Sequence, residues 1–223
     1  MGTISTRRGL RYLTQKDVPA DLLEVRVDCL RKDGMPVDEI ESILDNRAHP
    51  TLLTLRTTVE GGSYSWKSTE RILVFEQLLP KADAVDLEIR NMRFVKPILQ
   101  MARDTNKAVI LSAHSLERKL TYGKAERIIK SLRAYRVQAY KVAGLARTQD
   151  DLKVLVSLLM NYPQLRLALM ATGPMAQISR TVLPALGSKM VYGYLDEPVA
   201  QDQPPIKELA KTLNAAGIFS DAS

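Results

Sequence analysis

The sequence predicts an α/β fold, a compact (β/α)8 TIM barrel forming a single domain over residues 1–223, on three observations. Short β-branched or aliphatic runs recur every 20 to 33 residues, and longer segments of helical period lie between them. Polar side chains gather at the ends of the apolar runs, where a barrel of this kind keeps its chemistry. An open doubly wound sheet is the rival arrangement, but its G-x-G-x-x-G phosphate fingerprint occurs nowhere in the chain.

The units follow in order. Gly2–Ser5 is the first strand, followed by a short helix at Gly9–Tyr12. Leu22–Val27 leads to Pro36–Asn46, whose proline suits the start of a helix. Thr51–Arg56 leads to Ser68–Leu79, and Ala84–Glu88 to Met92–Asn106. Ala108–Ser112 leads to Tyr122–Tyr135, where Thr121 stands ahead of the apolar period Ala125, Ile128, Ile129 and Leu132. Ala139–Val142 leads to Thr148–Tyr162, with Thr148 three residues before Asp151 in the manner of a capping box. Leu165–Met170 precedes Ser179–Leu186, and Met190–Tyr194 precedes Pro205–Ala216. No linker and no second domain are apparent between them.

Composition narrows the function. Hydrophobic residues make up 45% and charged residues 26% of the chain, which excludes disordered, collagen-like and disulfide-stapled classes. The single cysteine, Cys29, has no partner for a disulfide and supplies no thiolate metal site alone, so a reducing cytoplasm is expected. No apolar run is long enough to span a membrane, and arginines occupy the N-terminus where a signal peptide needs its apolar stretch. The 32 Lys and Arg against 25 Asp and Glu give a net charge of +7, but these residues are scattered and form no nucleic-acid-binding block. Neither a nucleic-acid nor a membrane partner is expected.

The strand ends carry the candidate chemistry. Glu24, Arg26 and Asp28 share one face of the second strand by the period of two. The third strand ends at Arg56 and runs into Glu60-Gly61-Gly62; the fifth leads to Ser112-Ala-His114, and the sixth ends at Lys141. Charges in a barrel mouth are costly unless paired, so their recurrence in equivalent positions points to a site, with a structural ion-pair network as the plainer alternative. His49, before Pro50, reads as a surface loop residue. A lysine freed of its proton by burial and by the positive neighbours Arg26, Arg56 and Arg180 is able to attack a ketone and form an iminium. An imidazole then removes the acidified proton and returns one to a leaving hydroxide, while a carboxylate such as Glu60 holds that imidazole in one tautomer.

With these residues in view the sequence resembles the type I 3-dehydroquinate dehydratases of the shikimate pathway. The segments that carry the resemblance are GTIS, LLEVRVD, LLTLRTTVEGG, VILSAHSLE, YKVAGLARTQDD, SRTVLPALGS and PVAQDQ, in family order and at family spacing. The resemblance implies a (β/α)8 barrel that converts 3-dehydroquinate to 3-dehydroshikimate by syn elimination through a lysine Schiff base, with no metal or other cofactor. It implies Lys141 as the Schiff-base lysine, His114 as general acid and base, and Glu60 as the carboxylate that orients it. Glu24, Arg26, Arg56 and Gln203 then match contacts to the substrate, and Arg180 matches the arginine that grips its carboxylate. A homodimer, and a fusion to shikimate dehydrogenase after the tail AAGIFSDAS, are both compatible with it.

The pattern departs from the family in the last third. A lid of the form Ser-x-Pro-Gly-Gln reads Val199-Ala200-Gln201-Asp202-Gln203, and Thr172 and Ala176 replace the usual Met and second Gly before Ser179-Arg180. The loop from Glu197 to Pro204 is expected to be mobile without ligand and to turn Asp202 outward, away from a site meant for a carboxylate. The first strand begins at Gly2, so the barrel floor is expected to be covered without the N-terminal hairpin of many relatives. Two further functions compete: a class I aldolase-type barrel, and a regulator that holds quinate-like ligands without turning them over.

Overall fold

The computed structural model describes residues 1–218. Its strands are β1 (Gly2–Ile4), β2 (Leu23–Arg26), β3 (Thr51–Thr54), β4 (Ala84–Glu88), β5 (Ala108–Lys119), β6 (Ala139–Leu145), β7 (Leu167–Thr172) and β8 (Gly193–Tyr194). Its helices are α1 (Val27–Lys32), α2 (Val37–Asp45), α3 (Ser68–Leu78), α4 (Met92–Asp104), α5 (Tyr122–Arg133), α6 (Gln149–Asn161), α7 (Ala176–Ala185) and α8 (Ile206–Ala215). All eight strands are parallel in one sheet, in the order β7-β6-β5-β4-β3-β2-β1-β8. Placing the last strand beside the first curls this sheet into a barrel. The remaining side closes just ahead of β8, where Lys189 N–H donates to the Leu167 carbonyl at 2.7 Å and Ser188 Oγ accepts from Leu169 N–H at 2.9 Å.

The period of two along each strand sorts the side chains into two environments. Val25, Leu53, Leu55, Val85, Leu87, Val109, Leu111, Val142 and Leu169 face outward and pack on helix residues such as Ile40, Leu44, Phe75, Ile98, Ile129, Leu158 and Leu183. Each such burial stabilises the fold by about 1.5–3 kcal/mol. Facing inward, Leu52, Ala84, Ile110 and Ala139 form a separate apolar layer, sealed by Met1, Leu22, Ala108 and Met190. This layer is the floor of the barrel. Two residues further along the same four strands the inward positions become Thr54, Asp86, Ser112 and Lys141, all buried. The interior thus changes from hydrocarbon to hydrogen-bonded polar groups within one turn of the pleat.

The local signals explain most boundaries. Thr148 caps α6 through a reciprocal box in which its Oγ1 accepts from Asp151 N–H at 3.3 Å and Asp151 accepts from Thr148 N–H at 3.1 Å. Pro36 stands at the N-cap of α2. The expected helix at Gly9–Tyr12 is a 3-10 helix over Arg8–Leu13, and α7 begins at Ala176, ahead of the expected Ser179. β8 is shorter than expected: Met190, Val191 and Tyr192 lead into it without joining the ladder.

Two corrections bear on the site. β2 ends at Arg26, and Val27 already begins α1, so Asp28 lies on a helix and not on the strand face with Glu24 and Arg26. The helix forms there because the buried Asp28 carboxylate is satisfied by both nitrogens of the Arg26 fork and by the backbone N–H groups of Arg56 and Ser63. β5 does not stop at Ser112 but continues to Lys119, paired with β6, which itself runs on to Leu145. His114 and Lys141 therefore sit inside strands, not at their ends. The tail AAGIFSDAS, compatible with a fused second domain, ends in residues 219–223, which lie outside the described residues.

Candidate active site

Neighbouring strands deliver the central pair of side chains. The ladder sets Ser112 beside Lys141 and His114 beside Ala143, so Lys141 and His114 share the inward face of adjacent strands. A cavity of about 130 Å³ opens above them, bordered by Glu24, Arg26, Arg56, Glu60, His114, Lys141, Arg180 and Gln203. Every site residue expected from the sequence borders it. The sequence 57–62 winds a 3-10 turn whose Gly61 has φ +83°, and a Cβ on Gly62 would stand 2.2 Å from the Arg56 carbonyl oxygen. Only glycines allow this turn, and the turn aims Glu60 at His114.

Lys141 is buried, and its nearest charges are carboxylates. Nζ lies 3.3 Å from Asp86 Oδ2 and 3.6 Å from Glu24 Oε1, and 4.0 Å from the centre of the Tyr192 ring. Of the arginines expected as its neighbours, Arg56 stands behind Asp86, Arg26 is paired with Asp28, and Arg180 meets neither acid. Asp86 receives Arg56 Nη2 at 2.9 Å and Ser112 Oγ at 2.5 Å. Its burial would raise its pKa, but Arg56 and Lys141 hold it well below the usual carboxylate range. Glu24 accepts from the hydroxyls of Thr3 and Thr54, each at 3.0 Å. The amine is thus fixed between two acids that are themselves fully hydrogen-bonded, within reach of a proton acceptor when it attacks.

His114 Nδ1 meets Glu60 Oε2 at 2.7 Å. Desolvation, then the positive charges of Arg56 and Lys141, lower the imidazole well below its ordinary value, so it is neutral in the free site. Burial, then the Glu88 carboxylate, push Glu60 up to about 8 against the pull of Arg56. The neutral ring and the raised carboxyl meet in this one hydrogen bond. In the tautomer whose proton sits on Nδ1 and points at Glu60, Nε2 carries a lone pair and is a base.

This arrangement has a measurable consequence. Between the ordinary carboxylate value and about 8 the folded chain binds a proton at Glu60 that the unfolded chain has lost, so stability falls as pH rises through this range. From pH 6 to 8 the loss is about 2 kcal/mol, since the full slope of about 1.36 kcal/mol per pH unit weakens as the group titrates near 8. Glu60→Gln is expected to lack this slope, so the wild-type melting temperature should drop relative to that of the variant over this interval. Parallel curves for the two proteins would disprove the burial-raised carboxyl.

The remaining expected residues divide by their partners. Arg26 is committed to Asp28, with Nε and Nη2 at 2.8 and 2.7 Å from its two oxygens. Arg56 reaches Asp86, Ser112 and, at 3.5 Å, Glu88. Gln203 donates to Thr3 Oγ1 at 3.0 Å and accepts from Val199 N–H at 3.1 Å, which ties the lid to β1. Arg180 is different: it is buried, Nε reaches only the Tyr192 carbonyl at 3.4 Å, and Nη1 has no hydrogen-bond partner. An unpaired buried guanidinium suits an anion, above all a carboxylate.

Asp202 corrects the expectation for the lid. Instead of turning outward it lines the cavity, and its Oδ2 accepts from Gly173 N–H at 2.6 Å on the Arg180 side. A free N–H at this turn attracts the nearest carboxylate, and Asp202 supplies it. Asp202→Asn keeps an acceptor for Gly173 but removes a negative charge that opposes an incoming anion. KM for a carboxylate substrate is expected to fall roughly threefold to tenfold with kcat within about twofold; an unchanged KM would show that the charge is not felt by the ligand.

Sequence reasoning passed over Asp86, Ser112, Thr3, Thr54 and Tyr192. Asp86 carried a usable signal, because Asp86 and Glu88 alternate through the otherwise apolar strand AVDLE in the manner of Glu24 and Arg26. Tyr192 lies among apolar and aromatic residues and gave none. His49 is a half-buried loop residue whose ring meets the Gln15 carbonyl, away from the cavity lining. Among the described residues no group of three or more His, Cys, Asp or Glu could hold a metal ion, and no helix is long and apolar enough to cross a membrane.

A curled parallel barrel with buried acids, bases and a lysine at the C-terminal mouth defines an enzyme of the (β/α)8 class. Residues 5–220 match the family model described as type I 3-dehydroquinase, and the chain belongs to this family, a family of hydro-lyases. The 3-dehydroquinate dehydratase of Methanocella arvoryzae is 30% identical over 200 residues, covering 89% of each chain. That of Hydrogenobaculum sp. is 29% identical over 194 residues, covering 86% of this chain and 87% of the relative. The crystal structure of 3-dehydroquinate dehydratase from Geobacillus kaustophilus superposes with a TM-score of 0.84 at 21% identity, over 96% of this chain and 86% of that one. The type I enzyme from Clostridium difficile, which carries covalent modified comenic acid, gives 0.83 at 20% identity, over 95% and 88%. More distant barrels share the fold only, such as orotidine 5'-monophosphate decarboxylase from Sulfolobus solfataricus at 0.61 and 13%, over 93% of this chain and 91% of that one.

Proposed function

We propose that the chain dehydrates 3-dehydroquinate to 3-dehydroshikimate through an imine on Lys141. The observation that carries this reading is that one cavity holds a buried lysine, the hydrogen-bonded pair His114–Glu60 and the Arg180 guanidinium, whose Nη1 has no partner. Arg180 takes the substrate carboxylate, which sets the ring across the cavity with its ketone above Nζ. Lys141 passes a proton toward Glu24 and attacks the carbonyl carbon; loss of water from the carbinolamine leaves an iminium. The iminium withdraws electrons from the adjacent carbon, His114 Nε2 takes its proton, and the resulting enamine expels the ring hydroxyl. The same imidazole protonates that hydroxide as it leaves, so the eliminated water takes its proton from the carbon and its oxygen from the ring. Hydrolysis of the conjugated imine returns the amine and the product.

Incubation with 3-dehydroquinate, followed by the ultraviolet absorbance of the conjugated enone, tests the reading. Rising absorbance together with a borohydride-reduced adduct on the Lys141 peptide is the expected result. Binding without absorbance change would make the protein a ligand-holding regulator, and carbon–carbon cleavage of a phosphorylated sugar would make it an aldolase. An adduct on any other lysine would overturn the assignment of Lys141.

A further inference from the structure

Four buried side-chain polar atoms among the described residues lack a hydrogen-bond partner: Arg31 Nε, Thr172 Oγ1, Arg180 Nη1 and Tyr192 Oη. Three of the four belong to residues that line the one cavity already described. A buried polar group left unpaired costs about 1–3 kcal/mol, so a cluster of them on one wall needs a reason. The opposite wall shows no such deficit: Arg26, Arg56, Glu24 and Asp86 all have hydrogen-bond partners within the protein. The deficit is confined to the side built by the end of β7, the start of the chain into β8, and α7 between them.

We propose that Thr172 and Tyr192 are two further ligand-binding hydroxyls, flanking Arg180 and hydrogen-bonding to the oxygens of a hydroxylated cyclic carboxylate whose carboxylate that arginine holds. Thr172 closes β7, with Gly173 of the next turn joined to the lid by Asp202, so its hydroxyl stands where lid and barrel meet. Its place is one where the family pattern has a methionine, which makes this hydroxyl a device of the present chain. The Tyr192 ring is fixed against Lys141 Nζ at 4.0 Å, and burial raises its phenol well above the ordinary value, so Oη remains a proton donor. Both groups are therefore oriented before any ligand arrives, and neither is consumed by the protein's own network. The inference rests on the dehydratase reading and adds which atoms take the substrate's oxygens.

Thr172→Val and Tyr192→Phe remove only a hydroxyl from nearly unchanged shapes. KM for 3-dehydroquinate is expected to rise about threefold to tenfold in each, the size of one hydrogen bond, with kcat changed by less. The melting temperature of the ligand-free variants should be unchanged or higher, because an unpaired buried group has been removed. A KM within about 1.5-fold of wild type in both variants would overturn the inference. So would a lower melting temperature with unchanged KM, which would assign the hydroxyls to the fold. Wild-type turnover of 3-dehydroquinate is measured alongside: if it is present, failure of the variants to respond counts against the hydroxyls alone, and if it is absent the dehydratase reading falls and takes this inference with it.

Discussion

Lys141→Ala is expected to lower turnover of 3-dehydroquinate by about 10⁴-fold or more and to abolish the borohydride adduct, because no other nucleophile stands in its place. The fold should survive the change, since the side chain leaves a gap beside Tyr192 but exposes no outward-facing core. The cost is not zero. Glu24 and Asp86 lose their shared cation, although the threonine, serine and arginine donors they retain keep both oxygens partnered. Far-ultraviolet circular dichroism close to wild type, with loss of activity and of mass labelling, is the expected combination. Residual activity within a hundredfold of wild type would remove covalent catalysis from the mechanism.

His114→Ala is expected to slow turnover by 10²- to 10⁴-fold, the usual contribution of general acid–base catalysis, while the imine remains trappable. The separation follows from the geometry: Lys141 has Glu24 as a proton partner of its own, so imine formation has a route that does not pass through His114. Single-turnover experiments with borohydride would show the adduct accumulating in this variant. Loss of trapping together with turnover would place His114 in imine formation as well, and a variant within threefold of wild type would exclude it from the chemistry.

How much of this is legible in the sequence depends on where charge meets periodicity. The eight strands can be read because their outward faces are continuous aliphatic ladders, and Glu24, Arg26, Arg56 and Lys141 stand out against them. β5 is misjudged because its second half, SAHSLERK, is polar; what extends it is the neighbour β6, a tertiary pairing that leaves no trace in local composition. Asp28 reads as a strand residue by alternation, whereas the hydrogen bonds it receives are worth more than continued pairing and bend the chain into α1. The lid misleads for a related reason. Simple repulsion argues that Asp202 should face solvent, but the unfilled N–H of Gly173 is visible only once the turn after β7 is built.

The strand order also ties the site to the two ends of the chain. Gln203 Nε2 donates to Thr3 Oγ1 across 200 positions of sequence, Thr3 donates to Glu24, and Glu24 flanks Lys141. β1 is held between β2 and β8, so this relay exists only after the last strand has docked against the first. Contacts so distant along the chain carry the largest loop-closure entropy and belong to the slow steps of folding. A nascent or circularly incomplete barrel can hold all its helices and still lack the Gln203–Thr3 link that stands behind Glu24. The complete hydrogen bonding of the carboxylate beside Lys141 thus arrives last, as a readout of topological closure.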